Sequence, residues 1–307
     1  MGTPEFAVAS LDALVKAGYY IVGVITAPDK PAGRGMQLQQ SAVKKYAVEY
    51  NLTVLQPEKL KNPEFLEELK SLHADLQIVV AFRMLPEVVW NMPRLGSVNL
   101  HGSLLPQYRG AAPINWAVIN GEKETGVTTF KLKHEIDTGD ILLQESFPIG
   151  ENDTAGEVHD TMKEIGAQLL VKTVKGLADG TLEERPQATD QPRSDRPGLT
   201  DLKHAPKIFT ETCKIDFSKS VAEVHNLIRG LSPFPCAFTS LNGKMFKIYR
   251  SEKQISTVTS APGIHETDGK IFLKFACANG YVLVKELQLE GKKKMLIEDF
   301  LRGYRFE

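Results

Sequence analysis

The sequence contains little cysteine or tryptophan and no long hydrophobic run. Its three cysteines, Cys213, Cys236 and Cys277, are odd in number and widely spaced, which excludes a disulfide framework and a CxxC metal site. This usage is typical of a reducing compartment, so we expect a cytoplasmic protein. No apolar run approaches the roughly 18 residues of a membrane span and no signal peptide is recognisable, so we expect no membrane partner.

Motifs for several kinds of chemistry are also missing. No GxGxxG follows a predicted strand and no GxxxxGK[ST] loop occurs, which argues against a nicotinamide or nucleoside triphosphate cofactor. The pair His134-Glu135 begins like HExxH, but the second histidine is absent, so we expect no metal. No serine or cysteine stands in an activating motif. The sequence therefore favours chemistry without a covalent enzyme intermediate.

Charge is balanced over the whole chain but not along it. The 307 residues carry a net charge of -1, and this length predicts roughly two domains. From Pro206 onward there are 16 lysines and arginines against 11 acidic residues, whereas the preceding part carries 21 against 27. A mildly basic C-terminal part is compatible with a polyanionic partner, although chance asymmetry explains it equally well.

Apolar strands alternate with helical periodicity through residues 1–184. This alternation predicts an α/β domain with a doubly wound, mostly parallel sheet, whose ligands bind at the carboxyl ends of the strands. The predicted strands are Tyr20–Thr26, Thr53–Leu55, Leu76–Phe82, Ser97–Leu100, Val127–Leu132 and Asp140–Ile149. The first predicted helix ends at Gly18. The others span Ser41–Tyr50, Asn62–Leu72, Leu85–Asn91, Pro113–Ile119 and Thr154–Leu177.

The start of the chain departs from the usual order of such a sheet. A Gly2-Thr3-Pro4 turn that opens a helix normally follows a strand, yet the chain begins at Met1. We therefore expect that the first strand is missing and that the start is truncated.

The remaining chain divides into a linker and a small β-rich part. Residues 185–206 are rich in Pro, Asp, Arg and Gln without periodicity, which predicts a linker. Within residues 207–307, a short helix at Val221–Ile228 precedes short strands broken by Gly, Asn and Ser. They are Ala237–Leu241, Met245–Tyr249, Ile271–Phe275 and Val282–Leu289. This pattern predicts a small C-terminal β-barrel of the OB type, a fold that often binds oligonucleotides.

Three polar residues near predicted strand ends suit direct acyl transfer to an amine. The Asn99 amide can donate to a developing oxyanion, and His101, two residues along, points to the same side of a strand. Asp137 would orient the imidazole, favour its charged form and relay protons through water. Each residue also has a structural explanation without any catalytic role. Asn and Asp commonly form turns, and a lone histidine usually makes ordinary hydrogen bonds within the protein.

Motifs along nearly the whole chain resemble the methionyl-tRNA formyltransferase family. They are Met1–Val8, Thr26–Gly35, Leu55–Leu60, Ser103–Ile114, Ile136–Asp140, Arg229–Pro233 and Phe300–Gly303. Asn99, His101 and Asp137 alone would indicate only the wider folate-dependent formyltransferase group. The combination of motifs is much more specific.

The resemblance implies roles for individual residues. Asn99, His101 and Asp137 fall on the catalytic positions. Two segments fall on the folate site: Ser103, Leu104, Leu105 and Pro106, and Phe82, Arg83, Met84 and Leu85. In the second segment, Phe82-Arg83 stands where many relatives carry Ala-Tyr-Gly. The family's loop that enters the tRNA acceptor stem corresponds to 30–45, and its C-terminal barrel grips tRNA. The implied tRNA contacts are Lys30, Arg34, Lys44, Lys45 and Lys207, with Lys214 and Lys292 to Lys294 as further candidates.

The resemblance therefore implies an enzyme that moves the formyl group of 10-formyltetrahydrofolate to the α-amino group of methionyl-initiator tRNA, for initiation of translation. We expect the folate to be a cosubstrate and the protein to be a monomer. A folate-dependent formyltransferase that acts on a sugar amine or a purine precursor is the nearest alternative. A non-catalytic RNA-binding protein on a decayed enzyme scaffold is an alternative of another class.

Overall fold

A computed structural model describes residues 1–32, 37–187 and 202–306. The chain divides into two compact units, each built from separate stretches. The first unit comprises Met1–Arg109, Gly126–Ser146 and Asp160–Lys203, and the second comprises Gly110–Thr125, Phe147–His159 and His204–Glu307. Among the described helices, none is both long and apolar enough to cross a membrane.

The elements up to the long helix α6 follow the predicted alternation. The helices are α1 (Glu5–Lys16), α2 (Ala42–Glu49), α3 (Pro63–Ser71), α4 (Glu87–Trp90), α5 (Pro113–Ile119) and α6 (Ala155–Ala178). The strands are β1 (Val24–Ile25), β2 (Lys30–Ala32), β3 (Gln37–Gln39), β4 (Val54–Leu55), β5 (Gln77–Val80), β6 (Ser97–His101), β7 (Arg109–Gly110), β8 (Glu124–Lys131) and β9 (Ile141–Pro148).

The sheet of the first unit is mixed, which corrects the prediction of a mostly parallel sheet. β1 pairs with β4 and β5 pairs with β6 in parallel. β8, however, runs antiparallel to β6, and β9 lies on its other side. Sequence periodicity reports which faces of a strand are buried and not the direction in which the strand runs, so the reversal at β8 left no signal.

Met1 and Gly2 lie between β1 and β5 and are hydrogen-bonded to both strands. The Met1 α-amino group donates to the carbonyl of Ile78 (2.6 Å), the Val80 amide donates to the Met1 carbonyl (2.9 Å) and the Gly2 amide donates to the Ile25 carbonyl (3.0 Å). Burial lowers the pKa of the Met1 α-amino group to about 5. A cleft of about 140 Å³ lies beside these residues, between segments 20–25 and 76–80.

The second unit contains an antiparallel sheet with its own core. Its sheet order is β11-β12-β15-β14-β13, and β16 pairs with β15. Phe246, Phe275 and Phe300 are buried in its core, where the Phe246 ring packs against the other two rings. The elements are β10 (His204–Ala205), α7 (Thr210–Cys213), α8 (Val221–Gly230), β11 (Ala237–Leu241), β12 (Lys244–Ile255), β13 (His265–Thr267), β14 (Leu273–Cys277), β15 (Gly280–Leu289), β16 (Met295–Leu296) and α9 (Ile297–Gly303).

A buried histidine of α8, His225, contacts two other segments of the second unit. His225 Nδ1 is 3.0 Å from the Ser251 hydroxyl, and Nε2 is 3.3 Å from the Glu151 carbonyl. Because a carbonyl only accepts, Nε2 carries the hydrogen and Nδ1 accepts from Ser251 in the neutral ring. Burial lowers the pKa of His225 to about 4, so the ring stays neutral well below its ordinary titration range.

We expect the free energy of unfolding to fall as the pH drops from about 6.5 towards 4. Over this range the unfolded His225 ring takes up a proton, whereas the buried ring resists protonation until its pKa of about 4 is reached. The full effect is at most about 3 kcal/mol. Urea denaturation at a series of pH values measures it, with His225→Gln as the variant and His134→Gln, at an exposed histidine, as the control. Parallel pH profiles for the wild type and His225→Gln would contradict this role.

Candidate active site

β6 presents Asn99 and His101 on one face and apolar side chains on the other. Val98 and Leu100 are buried, and Leu100 packs against Gly166 of α6, where an added Cβ would lie 3.0 Å from a Leu100 methyl group. Because side chains alternate along a strand, this packing leaves Asn99 and His101 together on the opposite face. The predicted spacing of the amide and the imidazole therefore places both on one side of the sheet.

The His101 ring lies between two acceptor oxygens. Nε2 is 3.0 Å from the Tyr108 carbonyl oxygen, and Nδ1 is 3.8 Å from a carboxylate oxygen of Asp137. The edge of the ring packs against the buried Phe130 ring, with centroids 6.4 Å apart and planes at 78°. Since the carbonyl can only accept, Nε2 carries a hydrogen, and a second hydrogen on Nδ1 would face the carboxylate.

The contact with Tyr108 is a feature that the sequence did not predict. The residue has a φ of 59°, in the left-handed region, and its amide donates to the Lys203 carbonyl (2.6 Å). In this arrangement Nε2 of His101 can reach a substrate oxygen only by sharing its hydrogen with the Tyr108 carbonyl or by exchanging partners. The amide of Asn99 is the other predicted oxyanion donor on this face.

Asp137 lies in the turn between β8 and β9. Its φ is 54°, a left-handed conformation that is uncommon outside glycine. Gly139 allows the turn to lie against the sheet, because a Cβ there would overlap the Lys131 carbonyl oxygen. The side chain of Asp137 is largely buried, at 13% exposure, on the Nδ1 side of His101. The structure therefore places the Asp137 carboxylate beside the His101 ring.

The segment Ser103 to Pro106 is held tightly on the neighbouring strands. The Leu105 amide donates to the Thr128 hydroxyl (3.1 Å), which itself donates to the Ser103 carbonyl (2.7 Å). The Gln144 amide donates to the Leu105 carbonyl (2.9 Å). Ser103 and Leu105 are buried, so the half-buried Leu104 and Pro106 are the members of this segment with side-chain surface to offer a ligand.

The segment Phe82 to Leu85 follows β5 at the same edge of the sheet as His101, since Val80 pairs with Leu100 in the parallel ladder. Arg83 donates to the carbonyls of Pro57 and Glu58 and lies over the Phe82 ring, 5.6 Å from its centroid. Met84 is 74% exposed. Leu85, in contrast, is buried in the core with Val79 and Val89, where its contacts are with the protein.

The predicted tRNA contacts in the first unit differ in their surroundings. Lys30 and Lys45 are exposed, and Lys30 lies on β2, which forms a hairpin with β3. Lys44 instead lies 2.5 Å from an Asp29 carboxylate oxygen and is only 18% exposed. The hydrogen bond from Lys44 holds the pKa of Asp29 below its ordinary value. Arg34 lies outside the described residues.

Basic side chains of the second unit lie beside aromatic rings. Lys207 is exposed and lies 5.6 Å from the centroid of the Phe209 ring, which is itself exposed. Lys294 lies 4.9 Å from the Tyr249 ring centroid and 2.9 Å from a Glu286 carboxylate oxygen. Lys292 and Lys293 are exposed in the turn before β16, and Lys214 is exposed before β11. Pairs of a cation and a ring can stack on bases as well as contact phosphates.

Comparison with known proteins gives matches over both parts of the chain. Residues 1–174 match the family described as formyl transferase, and residues 207–305 match the formyl transferase C-terminal domain. The methionyl-tRNA formyltransferase of Bacteroides fragilis is 53% identical over 309 residues, covering 99% of this chain and 94% of that protein. The protein of the same name from Parabacteroides distasonis is 56% identical over 311 residues, with the same coverage.

A solved structure shares the fold. The N-formyltransferase of Helicobacter canadensis, in complex with folinic acid and dTDP-3-aminofucose, superposes with a TM-score of 0.69. The match covers 96% of this chain and 97% of that one, at 23% sequence identity. Family models match both parts of the chain, and the two relatives named above are more than half identical to it in sequence. The chain belongs to the formyl transferase family and, within it, to the methionyl-tRNA formyltransferases.

Proposed function

We propose that this protein transfers the formyl group of 10-formyltetrahydrofolate to the α-amino group of methionyl-initiator tRNA, for initiation of translation. The observation that carries the proposal is the polar group at the carboxyl edge of β6, where Asp137 faces the ring of His101 and Asn99 shares its face of the strand. The names of the relatives that are 53% and 56% identical support methionyl-tRNA as the acceptor.

The edge beside this polar group suits the folate cosubstrate. Met84 is exposed, and Phe82, Leu104 and Pro106 are partly exposed, so apolar surface is available there for a flat ring system. The structure of the Helicobacter canadensis relative contains folinic acid, which supports a folate as the donor. We therefore assign the donor to the edge formed by the segments after β5 and β6.

The proposed reaction is a direct acyl transfer. The unprotonated amine, whose reference pKa is about 7.7–8.0, attacks the formyl carbon, so that a C–N bond forms and negative charge develops on the formyl oxygen. The Asn99 amide donates to that oxygen, and His101 contributes its Nε2 hydrogen by sharing it with Tyr108. Asp137 sustains the histidine and helps carry the amine proton away through water. The bond from the formyl carbon to N10 then breaks, and N10 takes up a proton.

The tRNA surface is proposed on the exposed basic residues. Lys30, Lys45 and Lys207 are exposed and can contact phosphates, whereas the ammonium of Lys44 already pairs with the Asp29 carboxylate. We propose that residues 1–184 carry the chemistry, that 185–206 connect and that 207–307 form an OB-type tRNA-binding domain. We also propose that the protein acts as a monomer in the cytoplasm.

The acceptor can be tested directly. The protein is incubated with 10-formyltetrahydrofolate and either charged initiator tRNA or a nucleotide-linked amino sugar, and products are identified by mass spectrometry. We expect formylmethionine on the tRNA and no formylated sugar. Formylation of the sugar alone would establish the alternative small-acceptor function, and no transfer to either would favour a decayed enzyme.

Substitution of the polar group should lower turnover while leaving the fold intact. Asn99→Ala removes an oxyanion donor and should lower kcat by about 10²–10³. His101→Ala should lower it by about 10²–10⁴, the usual range for a general catalyst. Single-turnover formylation measures both variants, and circular dichroism checks the fold. Near-normal turnover in either variant would refute its assignment.

Removal of an exposed basic residue should reduce the salt dependence of tRNA binding. Each phosphate contact contributes a slope of about 0.7–0.9 in log K against log salt, so Lys30→Ala and Lys45→Ala should each lower the slope by that amount. Filter binding at several salt concentrations measures the slope. Lys70→Ala, at an exposed lysine of α3, is the control. Unchanged slopes in both variants would remove these lysines from the interface.

A further inference from the structure

Gln187 lies in the segment that the sequence assigned to a linker, yet its side-chain amide makes four hydrogen bonds. Its Nε2 donates to the carbonyls of Asp137 (2.9 Å) and Gly139 (2.7 Å). Its Oε1 accepts from Nε (3.2 Å) and Nη2 (2.7 Å) of Arg109. A primary amide has two hydrogens to donate and two lone pairs with which to accept, so every site on this side chain is used.

The backbone on either side of Gln187 is anchored as well. Arg185 and Ile141 exchange both of their backbone hydrogen bonds, at 2.8 and 2.9 Å, in an antiparallel bridge. Gln187 lies two residues after Arg185, and Gly139 lies two residues before Ile141. Because the two chains are antiparallel, Gln187 comes to lie opposite Gly139. The chain therefore delivers the amide to the Asp137 turn by strand pairing and not by chance contact of a loose linker.

These contacts lie on both sides of His101. On the Nδ1 side, Gln187 binds the carbonyl of Asp137 itself, whose carboxylate faces the ring. On the Nε2 side, it binds Arg109, which directly follows Tyr108, whose carbonyl accepts from the ring. One amide thus connects the two segments that hold the imidazole.

The Gln187 amide can stabilise the left-handed backbone conformation of the Asp137 turn. A non-glycine residue at a φ of 54° is strained, and it keeps this conformation only where its surroundings hold it there. The two carbonyls that Gln187 binds belong to this turn. Loss of the amide donor would free the turn to relax and would move the Asp137 carboxylate relative to the ring.

We propose that Gln187 is a positioning residue for formyl transfer, which holds Asp137 and Tyr108 in place around His101. The inference rests on the proposed function of the His101 and Asp137 pair. Gln187 itself touches no reacting atom. Its effect passes through the geometry of the pair, and misplacement of a catalytic group by about 1 Å can cost about 10² in rate.

The decisive variant is Gln187→Glu, which keeps the size of the side chain and an acceptor for Arg109 but replaces the amide donor by an oxygen. That oxygen would face the carbonyls of Asp137 and Gly139 and would repel them. We expect kcat for formylation of methionyl-tRNA to fall about 10- to 100-fold, with KM for both substrates within about twofold of the wild type. Gln187→Ala should behave similarly, and Glu183→Gln, at an exposed neighbour, should match the wild type.

A double-mutant cycle separates positioning from a merely structural role. If Gln187 acts through Asp137, Gln187→Glu should cost much less in the Asp137→Asn background than in the wild type. Equal losses in both backgrounds would overturn the inference, as would a Gln187→Glu enzyme with wild-type kcat or with a raised KM alone. Thermal unfolding of each variant shows that the enzymes compared are folded. A wild-type protein that formylates no methionyl-tRNA would instead refute the proposed function itself.

Discussion

The arrangement of the candidate site depends on one buried imidazole held between a carbonyl and a carboxylate. The Tyr108 carbonyl accepts a hydrogen bond from Nε2 of His101, and a carboxylate oxygen of Asp137 lies 3.8 Å from Nδ1. The ring is 6% exposed, so water competes little for either nitrogen. The Tyr108 carbonyl therefore determines that Nε2 carries a hydrogen, and the Asp137 carboxylate lies on the Nδ1 side of the ring.

Both acceptors depend on unusual backbone that the rest of the first unit stabilises. Tyr108 and Asp137 have left-handed φ values, and each belongs to a loop tied down by bonds to distant segments. Thr128 and Gln144 hold the segment after His101 on β8 and β9. Strained conformations of this kind persist where their surroundings determine them, and they concentrate at functional sites. Strand β6 carries Asn99 and His101, and the turn between β8 and β9 supplies Asp137.

Much of the local structure could be predicted from the sequence. α5 and β11 have the predicted bounds, because proline at a helix start and turn residues that end a strand are local signals. The apolar run Tyr20–Thr26 predicted a long strand, but only Val24–Ile25 pairs with β4. Apolar composition reports burial, whereas a strand also needs a partner along its length.

The side chains of the candidate site could be proposed from the sequence, whereas the groups that hold them in place could not. Motif resemblance and two-residue spacing identified Asn99, His101 and Asp137 as candidates. The Tyr108 carbonyl is a backbone group and carries no sequence signal. Gln187 lies 50 residues beyond Asp137 in a stretch without periodicity, so its role depends on long-range pairing that composition does not record. For the same reason, no pattern in the sequence indicated that Lys44, on α2, forms an ion pair with Asp29.

The central claim is that His101 points an Nε2 hydrogen at the Tyr108 carbonyl. Nitrogen-15 NMR of the histidine rings tests this most directly, with the His101 signals identified by their loss in His101→Gln. The account predicts a protonated Nε2 in the free enzyme, with Nδ1 facing Asp137. A ring that carries its only hydrogen on Nδ1, leaving Nε2 as an acceptor, would contradict it.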